Sequence, residues 1–147
     1  MQAMDIGLVG LGVMGENLAL NLERNGFSVS GFDLNAERRK SFSQRTQGLR
    51  AQAASSLPEL VASLTVPRRI WMMVPAGAAV DQVLAQLRPL LSAGDVLIDG
   101  GNTLYTDTQQ LILHALAAVL HQQCIYLLNR TLTHCIQLRS LTQRRVL

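Results

Sequence analysis

Lysine is nearly absent from this chain: Lys40 is the only one among the 13 basic residues, so chemistry that needs a lysine base has a single candidate. Cysteine is as scarce. Cys124 and Cys135 are the only two, which excludes a disulfide-stapled scaffold; without an export signal they are expected as free or buried thiols, with no disulfide. No run of about eighteen apolar residues occurs, which argues against a helical membrane span. The N-terminus lacks a basic stretch followed by an apolar one, so the expected setting is cytoplasmic. Two further absences are regional. No glycine lies beyond Gly101 and no proline beyond Pro89, so the C-terminal part lacks the usual turn formers. No acidic residue lies beyond Asp107.

What remains is enough for one domain, since 147 residues with 48% hydrophobic content can bury a core. The most informative stretch is Asp5-Ile6-Gly7-Leu8-Val9 running into Gly10-Leu11-Gly12-Val13-Met14-Gly15. An apolar strand followed by G-x-G-x-x-G and a helix pattern is the fingerprint of a dinucleotide-binding turn. Gly10 permits the tight turn, Gly12 removes a side chain that would block a pyrophosphate, and Gly15 lets the helix pack closely on the sheet. The unpaired N–H groups at the helix start then face the anion. Asn17, Leu18, Leu20, Asn21 and Leu22 read as an amphipathic helix stopped at Gly26.

A second strand, Val29 to Asp33, ends on a carboxylate eighteen residues after Gly15. The fingerprint asks for an acid about twenty residues on, to accept hydrogen bonds from the adenosine ribose. Asp33 is that candidate, and it favours NAD over NADP because it would repel a 2′-phosphate. Arg38, Arg39 and Lys40 offer cations nearby, but a solvated face of the second helix is the simpler reading. Further strands are expected near 70–74 and 95–99, with helices near 14–25, 36–45, 56–64 and 79–91 and a short extra strand near 49–51. This alternation predicts a Rossmann-like, doubly wound α/β fold with a mainly parallel sheet in three layers. Ligands in such sheets bind beyond the carboxyl ends of the strands.

The residues from Gly7 to Leu22, with Pro67-Arg68-Arg69-Ile70, Val74-Pro75-Ala76-Gly77 and Ile98-Asp99-Gly100-Gly101-Asn102-Thr103, resemble the amino-terminal domain of the decarboxylating 6-phosphogluconate dehydrogenases. The resemblance runs from Asp5 to about Thr108; the 3-hydroxyisobutyrate dehydrogenases are the runner-up family. It implies that Gly10, Leu11, Gly12, Val13, Met14 and Gly15 hold the pyrophosphate, with Met14 near the nicotinamide. It also implies that Asp33, Leu34 and Asn35 meet the adenosine ribose, that Val74, Pro75 and Ala76 line the cofactor cleft, and that Asn102 touches both cofactor and sugar acid. Many NADP-using members have Asn-Arg-Thr where this chain has Asp33-Leu34-Asn35, and Lys where it has Pro75. Both departures favour NAD.

The resemblance stops where the composition changes. Residues 1–107 hold nine Lys and Arg against ten acids, net −1, and residues 108–147 hold four Arg against none, net +4, which together give the formal +3. The expected division is therefore a dinucleotide-binding domain over 1–108 and an irregular tail over 109–147. Within that tail Leu111–Leu120 is apolar enough for a covering helix and Cys124–Leu128 for one more strand, while residues from Thr131 onward carry no readable pattern. The family's later segment, with its general-base Lys and its helical dimerisation domain, has no counterpart. Lys40 cannot replace that base, so the expectation is a truncated family member, its tail from a shifted reading frame, that binds a nicotinamide dinucleotide without turning over 6-phosphogluconate. A non-catalytic binding module is the alternative. His121, Cys124, His134 and Cys135 have zinc-ligand types but poor spacing, and no metal is expected. The tail arginines lack an aromatic platform, so no nucleic-acid partner is expected either.

Overall fold

Six parallel strands and one antiparallel strand make one sheet in the computed structural model, whose described residues are 3–100, 124–129 and 132–136. The elements are β1 (Ile6–Val9), α1 (Val13–Arg24), β2 (Val29–Phe32), α2 (Ala36–Arg45), β3 (Ala51–Ala53), α3 (Leu57–Ala62), β4 (Arg69–Met72), α4 (Ala78–Leu87), a 3-10 turn (Arg88–Leu90), β5 (Val96–Asp99), β6 (Cys124–Asn129) and β7 (Leu132–Ile136). The order across the sheet is β3-β2-β1-β4-β5-β6-β7, with β7 alone antiparallel. This is the doubly wound arrangement expected from the alternating pattern. The order reverses between β1 and β4, where Gly7 pairs with Ile70 and Val9 with Met72.

Each central strand is apolar on both faces because helices cover both. On one face Leu8, Val29 and Ala51 pack with Leu11, with Ala19 of α1 and with Phe42 of α2. On the other, Val9, Phe32, Ile70, Met72 and Leu97 pack with Leu57, Leu60 and Val61 of α3 and Val80, Val83 and Leu87 of α4. Three layers result. The floor of the sheet is tied by polar clasps: Asp5 Oδ2 accepts from the Ser28 N–H and hydroxyl, each at 2.8 Å, and buried Asp95 accepts from the Arg68 N–H at 2.7 Å and Arg68 Nη1 at 2.9 Å.

Several boundaries differ from the sequence expectations, each for a local reason. The fourth helix ends at Leu87 and tightens into the 3-10 turn, because Pro89 has no N–H to continue the α-helical ladder. α3 is shorter than expected; Ser56 caps it, accepting from the Glu59 N–H at 3.3 Å. The extra strand lies at Ala51–Ala53, two residues later than expected. The strand expected at Cys124–Leu128 is present as β6, and Leu132–Ile136, which showed no readable pattern, pairs with it as β7. The expected Leu111–Leu120 helix lies outside the described residues. Among the described residues no helix is long and apolar enough to cross a membrane.

Candidate functional site

The crevice opens where the strand order reverses, a position fixed by topology before any side chain is considered. It encloses about 640 Å³ and is walled by the turn after β1, the end of β2 with the loop behind it, the loop after β4, and the crevice side of α4. Gly10 leaves β1 at φ 101°, and its N–H donates to the Phe32 carbonyl at 2.7 Å. A Cβ on Gly10 would run into the Met73 carbonyl, and one on Gly15 into the Gly10 carbonyl, so both glycines are fixed by close backbone approach. Gly12 differs. A Cβ there would meet nothing nearer than Arg38 Nη1 at 3.9 Å and would stand in the crevice itself.

Gly12 caps α1, and the first intrahelical bond runs from the Glu16 N–H to the Gly12 carbonyl at 2.9 Å. The N–H groups of Val13, Met14 and Gly15 therefore have no partner within the helix, and the positive end of its dipole faces the crevice. Val13 and Met14 form the exposed lip, 80% and 70% accessible. The Leu11 N–H is already committed, donating to Asp33 Oδ2 at 2.8 Å.

Asp33 is more constrained than a ribose acceptor needs to be. It is buried; Oδ1 accepts from the Asn35 N–H at 2.8 Å, and Oδ2 pairs with Arg38 Nη1 at 3.4 Å besides taking the Leu11 N–H. Its carboxylate thus welds the glycine turn to the β2–α2 loop. Leu34 is exposed on the rim, and Asn35 caps α2, accepting from the Glu37 N–H at 2.9 Å and the Arg38 N–H at 3.4 Å. Val74, Pro75 and Ala76 form the opposite wall, and Gly77, at φ 88°, turns the chain into α4. Of the residues singled out from the sequence, twelve, from Gly10 to Gly15, Asp33 to Asn35 and Val74 to Ala76, are described; Leu11 stands behind the crevice, and the other eleven line it. The thirteenth, Asn102, lies outside the described residues.

Sequence reasoning missed two features. Arg38, with its side chain more than half exposed on α2, also lines the crevice beside Asp33. Arg39 lies behind the loop, its Nη1 donating to the carbonyls of Asp33 at 2.6 Å and Leu34 at 3.1 Å. Their adjacency to an N-cap was the available signal, because the first turn of α2 must pass close to the loop that starts it. Of the zinc-type residues, His121 lies outside the described residues. In the β6–β7 ladder Cys135 is the register partner of Tyr126 and His134 that of Leu127.

Residues 5–122 match the family model for the NAD binding domain of 6-phosphogluconate dehydrogenase. A decarboxylating 6-phosphogluconate dehydrogenase of Synechococcus elongatus is 53% identical over 113 residues, which are 76% of this chain and 24% of that one. Among solved structures, Plasmodium falciparum 6-phosphogluconate dehydrogenase, determined in its apo form, with NADP+ and with 6-phosphogluconate, matches with a TM-score of 0.74 and 30% identity, covering 84% of this chain and 27% of that one. Mycobacterium tuberculosis 3-hydroxyisobutyrate dehydrogenase follows at a TM-score of 0.66 and 25% identity, covering 85% of this chain and 40% of that one. The chain spans about a quarter of the length of the curated relatives it matches.

Proposed function

This chain belongs to the 6-phosphogluconate dehydrogenase family through its NAD-binding domain, and from that premise we propose that it binds a nicotinamide dinucleotide in the crevice between β1 and β4 without oxidising 6-phosphogluconate by itself. The observation that carries this reading is the helix N-terminus at Gly12 to Gly15, open to the crevice and welded through Leu11 to the Asp33 carboxylate. The pyrophosphate lies on the α1 N–H groups, the adenosine ribose against Asp33, Leu34 and Asn35, and the nicotinamide toward Met14 and the Val74-Pro75-Ala76 wall. Asn102 approaches both cofactor and sugar acid, as the family resemblance implies. The dinucleotide-binding part, assigned to residues 1–108, contains every described residue that lines the crevice, and within 109–147 the strands Cys124–Asn129 and Leu132–Ile136 extend the sheet.

NAD is the preferred cofactor. A 2′-phosphate would stand against the buried Asp33 carboxylate, and neither Leu34 nor Pro75 supplies a cation; Arg38 does, but it is paired with Asp33. Calorimetric titration with NADH and NADPH, beside a turnover assay with 6-phosphogluconate, tests each part. Tighter binding of NADH and no turnover are expected. Absence of binding by a folded sample overturns the crevice assignment, NADPH binding as tight as NADH overturns the preference, and turnover overturns the inactivity.

A further inference from the structure

Two adjacent arginines at the start of α2 do different work. Arg38 faces the crevice, while Arg39 turns behind the β2–α2 loop, where one guanidinium nitrogen reaches two consecutive carbonyls, Asp33 at 2.6 Å and Leu34 at 3.1 Å. The same guanidinium lies 5.6 Å from the Phe32 ring centroid. The loop it grips has no apolar anchor of its own, because Leu34 is 72% exposed. Its shape therefore rests on polar ties. The Asn35 N–H bond to Asp33 and the Asn35 cap bonds hold the loop to itself and to α2. Among the described residues the Arg39 bonds are the side-chain ties to the Asp33 and Leu34 carbonyls, and as charge-assisted bonds they are the stronger kind.

We propose that Arg39 is a positioning residue for the adenosine end of the crevice: by fixing the Asp33 and Leu34 carbonyls it sets where the Asp33 carboxylate and the Leu34 side chain meet the ribose. This rests on the dinucleotide reading above. Arg39 does not line the crevice, so its effect on a ligand is transmitted entirely through the loop.

The test compares wild type with Arg39→Met, Arg39→Lys and Arg39→Gln in the full 147-residue chain, using NADH and ADP as ligands well below each variant's melting temperature. Arg39→Met keeps the apolar stem and loses both bonds, and is expected to weaken NADH and ADP alike by about tenfold, the scale of one charge-assisted hydrogen bond. Arg39→Lys restores most of the affinity, since a single ammonium nitrogen can serve both carbonyls as the single Nη1 does. A merely structural arginine would lower the melting temperature and leave the affinity of the folded fraction unchanged; that result overturns the proposal. Should Arg39→Met not fold, Arg39→Gln, which replaces the charged donor by a neutral one, carries the same expectation and the same overturning result. Failure of wild type to bind NADH or ADP strikes the crevice reading instead, so the two failures are distinguishable.

Discussion

Two glycines three residues apart in one turn are expected to fail in opposite ways. A Cβ on Gly15 would collide with the Gly10 carbonyl and lie 3.0 Å from the Gly10 carbonyl carbon and 3.5 Å from Met73 Cβ. The first obstacle is backbone in a turn already held by the Gly10 N–H to Phe32 bond at 2.7 Å, so it cannot rotate away as a side chain would. Overpacking of this kind costs about 1–3 kcal/mol, and a rigid obstacle places Gly15→Ala near 3 kcal/mol. For a chain of this size that corresponds to a melting temperature lower by roughly 10 °C. At Gly12 the Cβ meets nothing closer than 3.9 Å, and the backbone, at φ −67°, is open to any residue. Losing glycine at the N-cap costs about 0.5–1 kcal/mol, and the stiffer unfolded chain returns about 0.4–1 kcal/mol, so Gly12→Ala should melt within about 2 °C of wild type. Its methyl group would stand in the crevice at the position proposed for the pyrophosphate, so NADH binding should weaken at least about tenfold. Thermal melts with parallel NADH titrations read both effects. A Gly12→Ala variant that binds NADH as wild type, or a Gly15→Ala variant that melts with it, would refute the division of labour within the turn.

Ser30, on β2, buries a hydroxyl that has no hydrogen-bond partner among the described residues, so Ser30→Ala should raise stability by about 1 kcal/mol in a denaturant melt; a loss of that size would show that the hydroxyl is paired. Burial pushes the Asp95 pKa up, but the N–H groups of Ser92 and Arg68 and the Arg68 guanidinium more than offset it, leaving the carboxyl below its ordinary 3.8. A lowered folded value means that the stabilisation from Asp95 is complete above the unfolded-state pKa and is lost as pH falls through the folded one. Asp95→Asn should therefore be less stable at about pH 7 and lose less stability than wild type on going to about pH 3; parallel pH profiles for the two proteins would contradict this. Leu34→Arg places a guanidinium on the exposed rim beside the ribose position and should shift the NADPH-to-NADH affinity ratio toward NADPH by about tenfold, with an unchanged ratio counting against the assignment of that rim.

The parts legible in the sequence were those in which local chemistry and topology agree. Gly10, Gly12 and Gly15 fall in the turn where the spacing placed them, and a Cβ would meet backbone at Gly10 and Gly15 but stand in the crevice at Gly12. The continuous apolar runs at Ile6–Val9 and at residues 70–72 mark strands covered on both faces, and the helices indeed fall on both. What escaped reading depends on contacts distant in sequence. The bond from Leu11 to Asp33 spans 22 residues and is made by a main-chain N–H, which carries no residue signature. β7 escaped because its place is set by the partner it pairs with in β6, and strand preference follows that context more than intrinsic pattern. Arg38 and Arg39 look equivalent in a string of letters. Their separation into a crevice wall and a loop anchor follows from the rotation of about 100° between consecutive helix positions, since one turn takes 3.6 residues.

Among the described residues the crevice offers more to binding than to proton transfer. Hydride transfer from an alcohol carbon to a nicotinamide requires a group that takes the hydroxyl proton, within hydrogen-bond reach of it. Among the described residues the only charged side chains lining the crevice are Asp33 and Arg38, and both stand on the β2–α2 side, bonded to one another. The rest of the wall includes Met14, Met73, Val74, Pro75 and Ala76, none of which exchanges a proton at neutral pH. Lys40 is fixed on α2, two residues past Arg38 and off the crevice wall. Binding and proton transfer are thus separable in this fold, because the first is set by main-chain geometry at a strand crossover and the second by a side chain that must be brought to the far end of the ligand. If, as proposed, the chain holds NADH and leaves 6-phosphogluconate unoxidised, variants within the described crevice should change affinity without creating turnover.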